Sequence, residues 1–164
     1  MTIHTVIGQF PSFFSAAVMR NPVISVPELS SATDIPDWCY SEFGIQYPLA
    51  STLSEPTTEA SSLRDTFPPP MTTEIFDKLR ASSPIVHVGQ ISIPVLLLIG
   101  KADSRVVPTQ GIQLYHALRA RGGNEKKKKV EMLCFEGESH PLDGVEAAKI
   151  SFEATIDWFA REKC

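Results

Sequence analysis

The sequence predicts an α/β fold with a mostly parallel sheet flanked by helices. Residues 95–99, VLLLI, are the most apolar run in the chain and lie between a proline and a glycine, as in a central strand covered on both faces. Residues 130–135 form a second strand-like segment. Helical spacing follows each segment, and the order strand, helix, strand, helix favours parallel pairing.

The elements of the N-terminal half are weaker and are predicted as follows. Helical spacing covers residues 3–7, a strand covers residues 16–19, and an amphipathic segment covers residues 36–43. Residues 46–70 are rich in Ser, Thr and Pro, which indicates an irregular insertion. Helical spacing returns in residues 71–83 and ends before a proline.

The C-terminal half contains two predicted helices. Pro108 can open the first helix, because its missing N–H costs nothing in the first turn. The buried stripe of that helix is predicted to be Ile112, Tyr115 and Leu118. One face of the terminal helix is lined by Val145, Ala148, Phe152, Ile156 and Phe159. The basic run 126–129 between helix and strand is expected to be a solvated loop.

Length and composition fit one soluble globular domain over residues 1–164. The chain is 43% hydrophobic and 21% charged, with a net charge of -4. This mild acidity gives no electrostatic reason to expect nucleic acid or an anionic membrane as a partner. No apolar run approaches the roughly 18 residues that span a bilayer.

Cysteine and histidine usage indicates neither a disulfide framework nor a metal site. Cys39, Cys134 and Cys164 are odd in number and lack paired spacing, so we expect a cytoplasmic protein. His4 is expected to be a surface or packed residue. His87 and His116 have no acid at ligand spacing, and we expect no metal and no cofactor. The two tryptophans, Trp38 and Trp158, are expected to pack in the core or in a lid.

Two chemically active residues follow the predicted strands. Asp103 lies in the loop after the first strand and His140 in the loop after the next, and such loops meet at one edge of a parallel sheet. An acid followed by a histidine is the order of the last two members of a Ser-Asp-His triad in an α/β-hydrolase. Arg105 is a candidate for binding a substrate carbonyl or carboxylate, with a local ion pair as the alternative. Arg20 could likewise pair locally or face the site.

A nucleophile is missing from this pattern. No G-x-S-x-G elbow occurs in the sequence, and GESHP at residues 137–141 only imitates one. Pro141 replaces the last glycine there, and Ser139 adjoins His140, so the two side chains diverge. Cys134 lies in a strand pattern and is expected to be a buried thiol.

Four segments of the chain carry a resemblance to a known family, and they are IGQFPSFFSAAVMRNPVI, SATDIPDWCYSEFG, SSPIVHVGQISIPVLLLIGKADSRVVPTQGIQLYHALRARG and ESHPL. They closely resemble the C-terminal catalytic part of acylaminoacyl-peptidases, which belong to the prolyl oligopeptidase family of serine peptidases. The resemblance covers nearly the whole chain outside residues 49–70. It implies the C-terminal half of an α/β-hydrolase domain, with the family's β-propeller absent from this chain.

The resemblance also implies a reaction. The family releases N-acylated, often N-acetylated, residues from short peptides through an acyl-enzyme, and it implies a possible homo-oligomer. By resemblance, Asp103 is the triad acid, His140 the triad base and Arg105 a residue beside the substrate. The family's serine elbow comes just before the segment similar to residues 1–11, so we expect this chain alone to be inactive.

Two other interpretations remain open at this stage. The chain could be a non-catalytic truncated paralogue that binds a partner subunit, through an edge strand left unpaired. It could also be part of an α/β-hydrolase that acts as an esterase or as another oligopeptidase, because fold alone does not set the substrate.

Overall fold

A computed structural model of the chain describes residues 3–45, 71–121 and 129–162. Its sheet has three strands, β1 (Ala17–Arg20), β2 (Val95–Gly100) and β3 (Val130–Phe135). They are parallel and lie in the order β1, β2, β3. All six residues of β2 are buried, as predicted for a central strand. The predicted parallel α/β arrangement is therefore confirmed.

Helices surround this sheet, and most of them begin where the sequence predicts. They are α1 (Ile3–Gln9), α2 (Val26–Ser30), α3 (Pro36–Ser41), α4 (Thr73–Ala81), a 3-10 helix (Pro84–Gln90), α5 (Pro108–Arg119) and α6 (Val145–Glu162). Proline occupies the first turn of α3 and α5, where its fixed φ suits a helix. The sequence did not predict α2, because its five residues span little more than one turn. It did not predict the 3-10 helix either, because three residues per turn do not give the α-helical spacing. The predicted insertion, residues 46–70, lies outside the described residues.

The core has one cluster on each face of the sheet and a third among the short helices. Side chains alternate along β2, so Leu97 and Ile99 face α1 and α5, whereas Leu96 and Leu98 face α6. The third cluster joins α2, α3 and α4, and Val107 packs against it from the loop before α5. That loop follows β2, so the third cluster is connected to the carboxyl edge of the sheet.

The predicted inward face of α5 is only partly correct. Leu118 is buried, but Ile112 and Tyr115 are half-buried. The fully covered positions also include Gly111, where a side chain would collide with Ile99. The helix therefore packs closely through a residue without a side chain, which a hydrophobic pattern cannot indicate.

The predicted apolar face of α6 points away from the sheet. Exposure reaches 90% for Val145 and 67% for Phe152, and Ala148, Ile156 and Phe159 are exposed as well. The inward residues are Ala147, Ser151, Ala154 and Trp158. Both sets recur at helical spacing. The sheet contacts the set in which the small residues Ala147, Ser151 and Ala154 accompany Trp158, and the small residues let the helix approach closely.

Two further expectations concern charge and membranes. Lys129, at the end of the basic run, contacts Glu162 at 2.9 Å, while residues 126–128 lie outside the described part of the chain. Among the helices that the structure describes, none is long and apolar enough to cross a bilayer.

Candidate active site

The loop after β2 holds Asp103 in one orientation. Its side chain is fully buried, and Oδ1 accepts hydrogen bonds from the backbone N–H groups of Arg105 and Val106, each at 2.9 Å. Two donors on one oxygen fix the carboxylate, which leaves Oδ2 for another partner.

That partner is His140, in the loop after β3. The distance from His140 Nδ1 to Asp103 Oδ2 is 2.8 Å, so the structure brings together the two residues that the sequence singles out. The His140 side chain is 45% exposed, and within the described residues Asp103 is its only ring partner. Because a carboxylate accepts at Nδ1, the neutral ring carries its proton there, which leaves the lone pair on Nε2.

The loop between β3 and α6, residues 136–144, contains His140 and is called the base loop. It packs directly on the end of β2. Ala102 N–H donates to Glu138 O at 2.9 Å, and the Glu138 carboxylate accepts from Gly144 N–H at 3.1 Å. A Cβ at Gly100 would lie 2.7 Å from the carbonyl oxygens of both Glu138 and Ser139. The glycine that ends the apolar run is therefore needed for this close approach.

Arg105 forms a local ion pair, which was one of the two interpretations of its position. Its guanidinium lies 3.4 Å from the Asp34 carboxylate, in an ion pair whose side chains are 52% and 41% exposed. Arg105 also lines a cleft beside His140. Two hydrogen bonds join the Asp34 segment to the loop after β2, which contains Asp103. Asp34 N–H donates to Ser104 O, and Thr33 Oγ1 donates to Arg105 O. Such an exposed pair is weak and can yield to a substrate group.

The cleft itself has a volume of about 610 Å³. Its polar side is formed by Arg20, Asn21, Arg105 and His140. Its apolar wall includes Leu29, Ile35 and Trp38. Trp38 lines the cleft and is 39% exposed, so it is not a core residue. Trp158 is fully buried, as expected. The cleft combines an apolar wall with a few polar side chains, which is the usual lining of a small-molecule site.

The two thiols differ from each other and from expectation. Cys134 is exposed, so the prediction of a buried thiol is wrong, because β3 carries a half-open face in the described structure. Cys39 is buried. Burial, with a smaller contribution from Asp37, raises the pKa of the Cys39 thiol to about 11. Neither described cysteine forms a disulfide, and Cys164 lies outside the described residues.

The remaining candidates do not join this arrangement. Ser139 is exposed and lines a smaller cleft together with Asp103 and His140, but within the described residues its hydroxyl forms no hydrogen bond with the His140 ring. His87 lies 3.4 Å from Gln9, and the His116 ring contacts Tyr115. The described residues contain no cluster of His, Cys, Asp and Glu that could hold a metal. His4 belongs to α1, and its side chain is not among those that the structure describes.

Comparison with known proteins agrees with this geometry. A family model described as "Prolyl oligopeptidase family" matches residues 1–163. The chain belongs to the prolyl oligopeptidase family. This family consists of serine peptidases, in which an acid and a histidine serve a serine nucleophile.

Relatives within the prolyl oligopeptidase family are acylamino-acid-releasing enzymes. Those of Mus musculus and Arabidopsis thaliana are each 35% identical, over 93% and 97% of this chain. The chain spans 18% of the length of either enzyme. Its similarity to them therefore concerns one part of a longer protein.

Solved structures show the same fold. Uncomplexed Pyrococcus horikoshii acylaminoacyl peptidase superposes with a TM-score of 0.69 at 17% identity, covering 96% of this chain and 22% of that one. A puromycin hydrolase superposes with a TM-score of 0.61 at 20% identity, covering 92% and 19%. The predicted α/β-hydrolase fold is thereby confirmed.

Proposed function

We propose that this chain supplies the acid and the base of a Ser-Asp-His triad in an acylaminoacyl peptidase. Such an enzyme releases N-acylated, in particular N-acetylated, amino acids from short peptides. The observation that carries the proposal is the 2.8 Å contact between His140 Nδ1 and a buried Asp103 held by two backbone donors. Similarity to acylamino-acid-releasing enzymes supports the substrate class.

In the proposed reaction, His140 Nε2 accepts the proton of a serine hydroxyl while the serine oxygen attacks the carbonyl carbon of the acylated residue. Asp103 stabilises the imidazolium that forms. The imidazolium then returns the proton to the leaving amine, and water releases the acyl group from the serine by the same steps. The proposal takes the serine from outside this chain, because the 164 residues contain no G-x-S-x-G elbow.

Substrate binding is assigned to the cleft beside His140. The Arg105 guanidinium, which Asp34 holds at the rim, would donate to a substrate carbonyl. The apolar wall with Trp38 would take the side chain or the acyl group. Burial of that group in the cleft would position the scissile carbonyl near Nε2. A cytoplasmic location is part of the proposal, and the described free thiols support it.

The test is an assay of N-acetylated amino acid amides against simple esters. We expect the 164-residue chain alone to be inactive, and a longer form with an in-frame G-x-S-x-G elbow before Met1 to cleave the amides. His140→Ala in the longer form should remove that activity. A longer form that favours esters would support an esterase instead, and full activity of His140→Ala would contradict the proposal.

A second candidate function is binding of a partner subunit by a non-catalytic chain. Within the described residues β1 pairs only with β2, so its other edge is open. The exposed face of α6, which includes Val145, Phe152 and Ile156, is also apolar. Unpaired edges and apolar faces favour association, either with a full-length subunit or with a second copy. A stable monomer in size-exclusion chromatography would contradict this candidate.

A further inference from the structure

The end of β1 contacts the base loop through two adjacent side chains. Arg20 Nη2 donates to the carbonyl oxygens of Pro141 and Leu142, at 3.0 Å and 3.1 Å. Asn21 Nδ2 donates to His140 O at 2.9 Å, across 119 positions of sequence. The backbone on both sides of the imidazole is therefore anchored to one strand end.

The Asn21 carboxamide also holds the end of β2. Its Oδ1 accepts from Gly100 N–H at 2.8 Å, and Asn21 N–H donates to Leu98 O at 2.9 Å. The residue is only 5% exposed. One buried side chain thus needs a donor for His140 and an acceptor for Gly100, which a carboxamide provides and a carboxylate does not.

Backbone conformation gives a second indication that this junction is specialised. Among the described residues other than glycine, only Asn21 and Leu142 have positive φ, at 40° and 52°. Asn tolerates this left-handed region, but a buried Leu there is strained. The strained Leu142 is one of the residues whose carbonyl Arg20 binds. Anchoring contacts are what such a conformation requires to persist.

We propose that Asn21 is a positioning residue for His140, with Arg20 as the second anchor. Because 45% of the His140 side chain is exposed, packing alone does not fix the ring. The hydrogen bond to His140 O holds the backbone where Nδ1 meets Asp103 and Nε2 remains available. The catalytic meaning of this placement rests on the proposed function, whereas the contacts themselves do not.

The test uses the full 164-residue chain labelled with ¹⁵N-histidine. The Nδ1 proton between His140 and Asp103 should give a downfield NMR signal, which His140→Gln assigns by its loss. Asn21→Asp keeps the side-chain size and the acceptor for Gly100 N–H but replaces the donor that faces His140 O. We expect this variant to lose the signal. In uniformly ¹⁵N-labelled chain, we expect the hydrogen-bonded amides of Glu138 and Leu142 to exchange roughly ten- to a hundredfold faster.

Gln110→Glu is the matched control. It makes the same amide-to-acid change at a buried residue. The Gln110 side chain accepts hydrogen bonds from Ile24 N–H and Ser25 N–H through Oε1, and a glutamate can still accept both. The His140 signal should persist in this variant. Equal signal loss in Gln110→Glu would indicate general destabilisation and overturn the positioning role.

Asn21→Gly permits the left-handed backbone conformation but lacks the carboxamide. If Asn21→Asp does not fold, the His140 signal of Asn21→Gly tests the positioning role instead. A persisting His140 signal in a folded Asn21 variant overturns the inference. Unfolding of both variants beside a folded Gln110→Glu overturns it too, because it would assign Asn21 a global structural role. Absent peptidase activity in the longer form, with this NMR pattern intact, would refute only the proposed function.

Discussion

Replacement of Gly100 by alanine should push the base loop off the sheet. The new Cβ would lie 2.7 Å from two carbonyl oxygens of that loop and 2.9 Å from Leu142 Cδ2, whereas ordinary contact begins at 3.4 Å. The carbonyls would have to retreat by about 0.7 Å, and overpacking of this kind costs about 1–3 kcal/mol. Alanine gains about 0.4–1 kcal/mol by restricting the unfolded chain, so the steric cost should win.

Gly89→Ala separates these two effects, because nothing lies within 4 Å of a Cβ at Gly89. Both variants restrict the unfolded chain by the same glycine-to-alanine change. The difference between their free energies of unfolding therefore measures the cost of the steric clash at Gly100. We expect urea denaturation to show Gly100→Ala less stable than Gly89→Ala by about 1–3 kcal/mol. The NMR signal of the His140 Nδ1 proton should weaken in Gly100→Ala alone. Equal stability of the two variants, with the signal unchanged, would refute the reasoning.

Three further predictions concern the proposed site and the thiols. In an active longer form, Asp103→Asn should lower kcat by about 10⁴-fold while the fold persists, because the amide favours the wrong His140 tautomer. Initial rates check this, and near-normal turnover would contradict the assignment. Arg105→Ala should lower the ratio of amide to ester hydrolysis and leave stability within about 1 kcal/mol, since its ion pair is exposed; an unchanged ratio would remove its role. At pH 8 a thiol reagent should modify exposed Cys134 but not Cys39, because burial raises the pKa of the Cys39 thiol to about 11 and keeps it protonated. Peptide mapping locates the label, and equal labelling of the native protein would show that Cys39 is accessible.

The strongest elements were predictable because they depend on local pattern. The run 95–99 has no polar residue and is bounded by proline and glycine, so only a covered strand suits it. The positions of Asp103 and His140 follow from where the strands end, since parallel strands place their following loops at one edge. Short elements such as α2 could not be predicted, because five residues span little more than one helical turn.

Errors occurred where two choices have the same periodicity. The α6 sequence offers Phe152 and Ile156 on one face and Ser151 and Trp158 on another, and only the sheet selects between them. Cys134 was assigned to the interior because its strand pattern does not say which face the structure leaves open. Trp38 contributes to the cleft because α2 and α3 bring it there, which its own neighbours in sequence do not indicate.

The amino-acid sequence by itself determined the parallel α/β class, the resemblance to a peptidase family and the loops that carry the acid and the base. These features depend on short segments of sequence, because secondary-structure propensity and hydrophobic periodicity are properties of a few neighbouring residues. Only the tertiary structure decided that the acid and the imidazole touch, that Arg105 borders a cleft, and that Arg20 and Asn21 anchor the base loop. Contacts between residues about 120 positions apart depend on how whole elements pack, and that packing is the sum of many weak interactions that no single segment encodes.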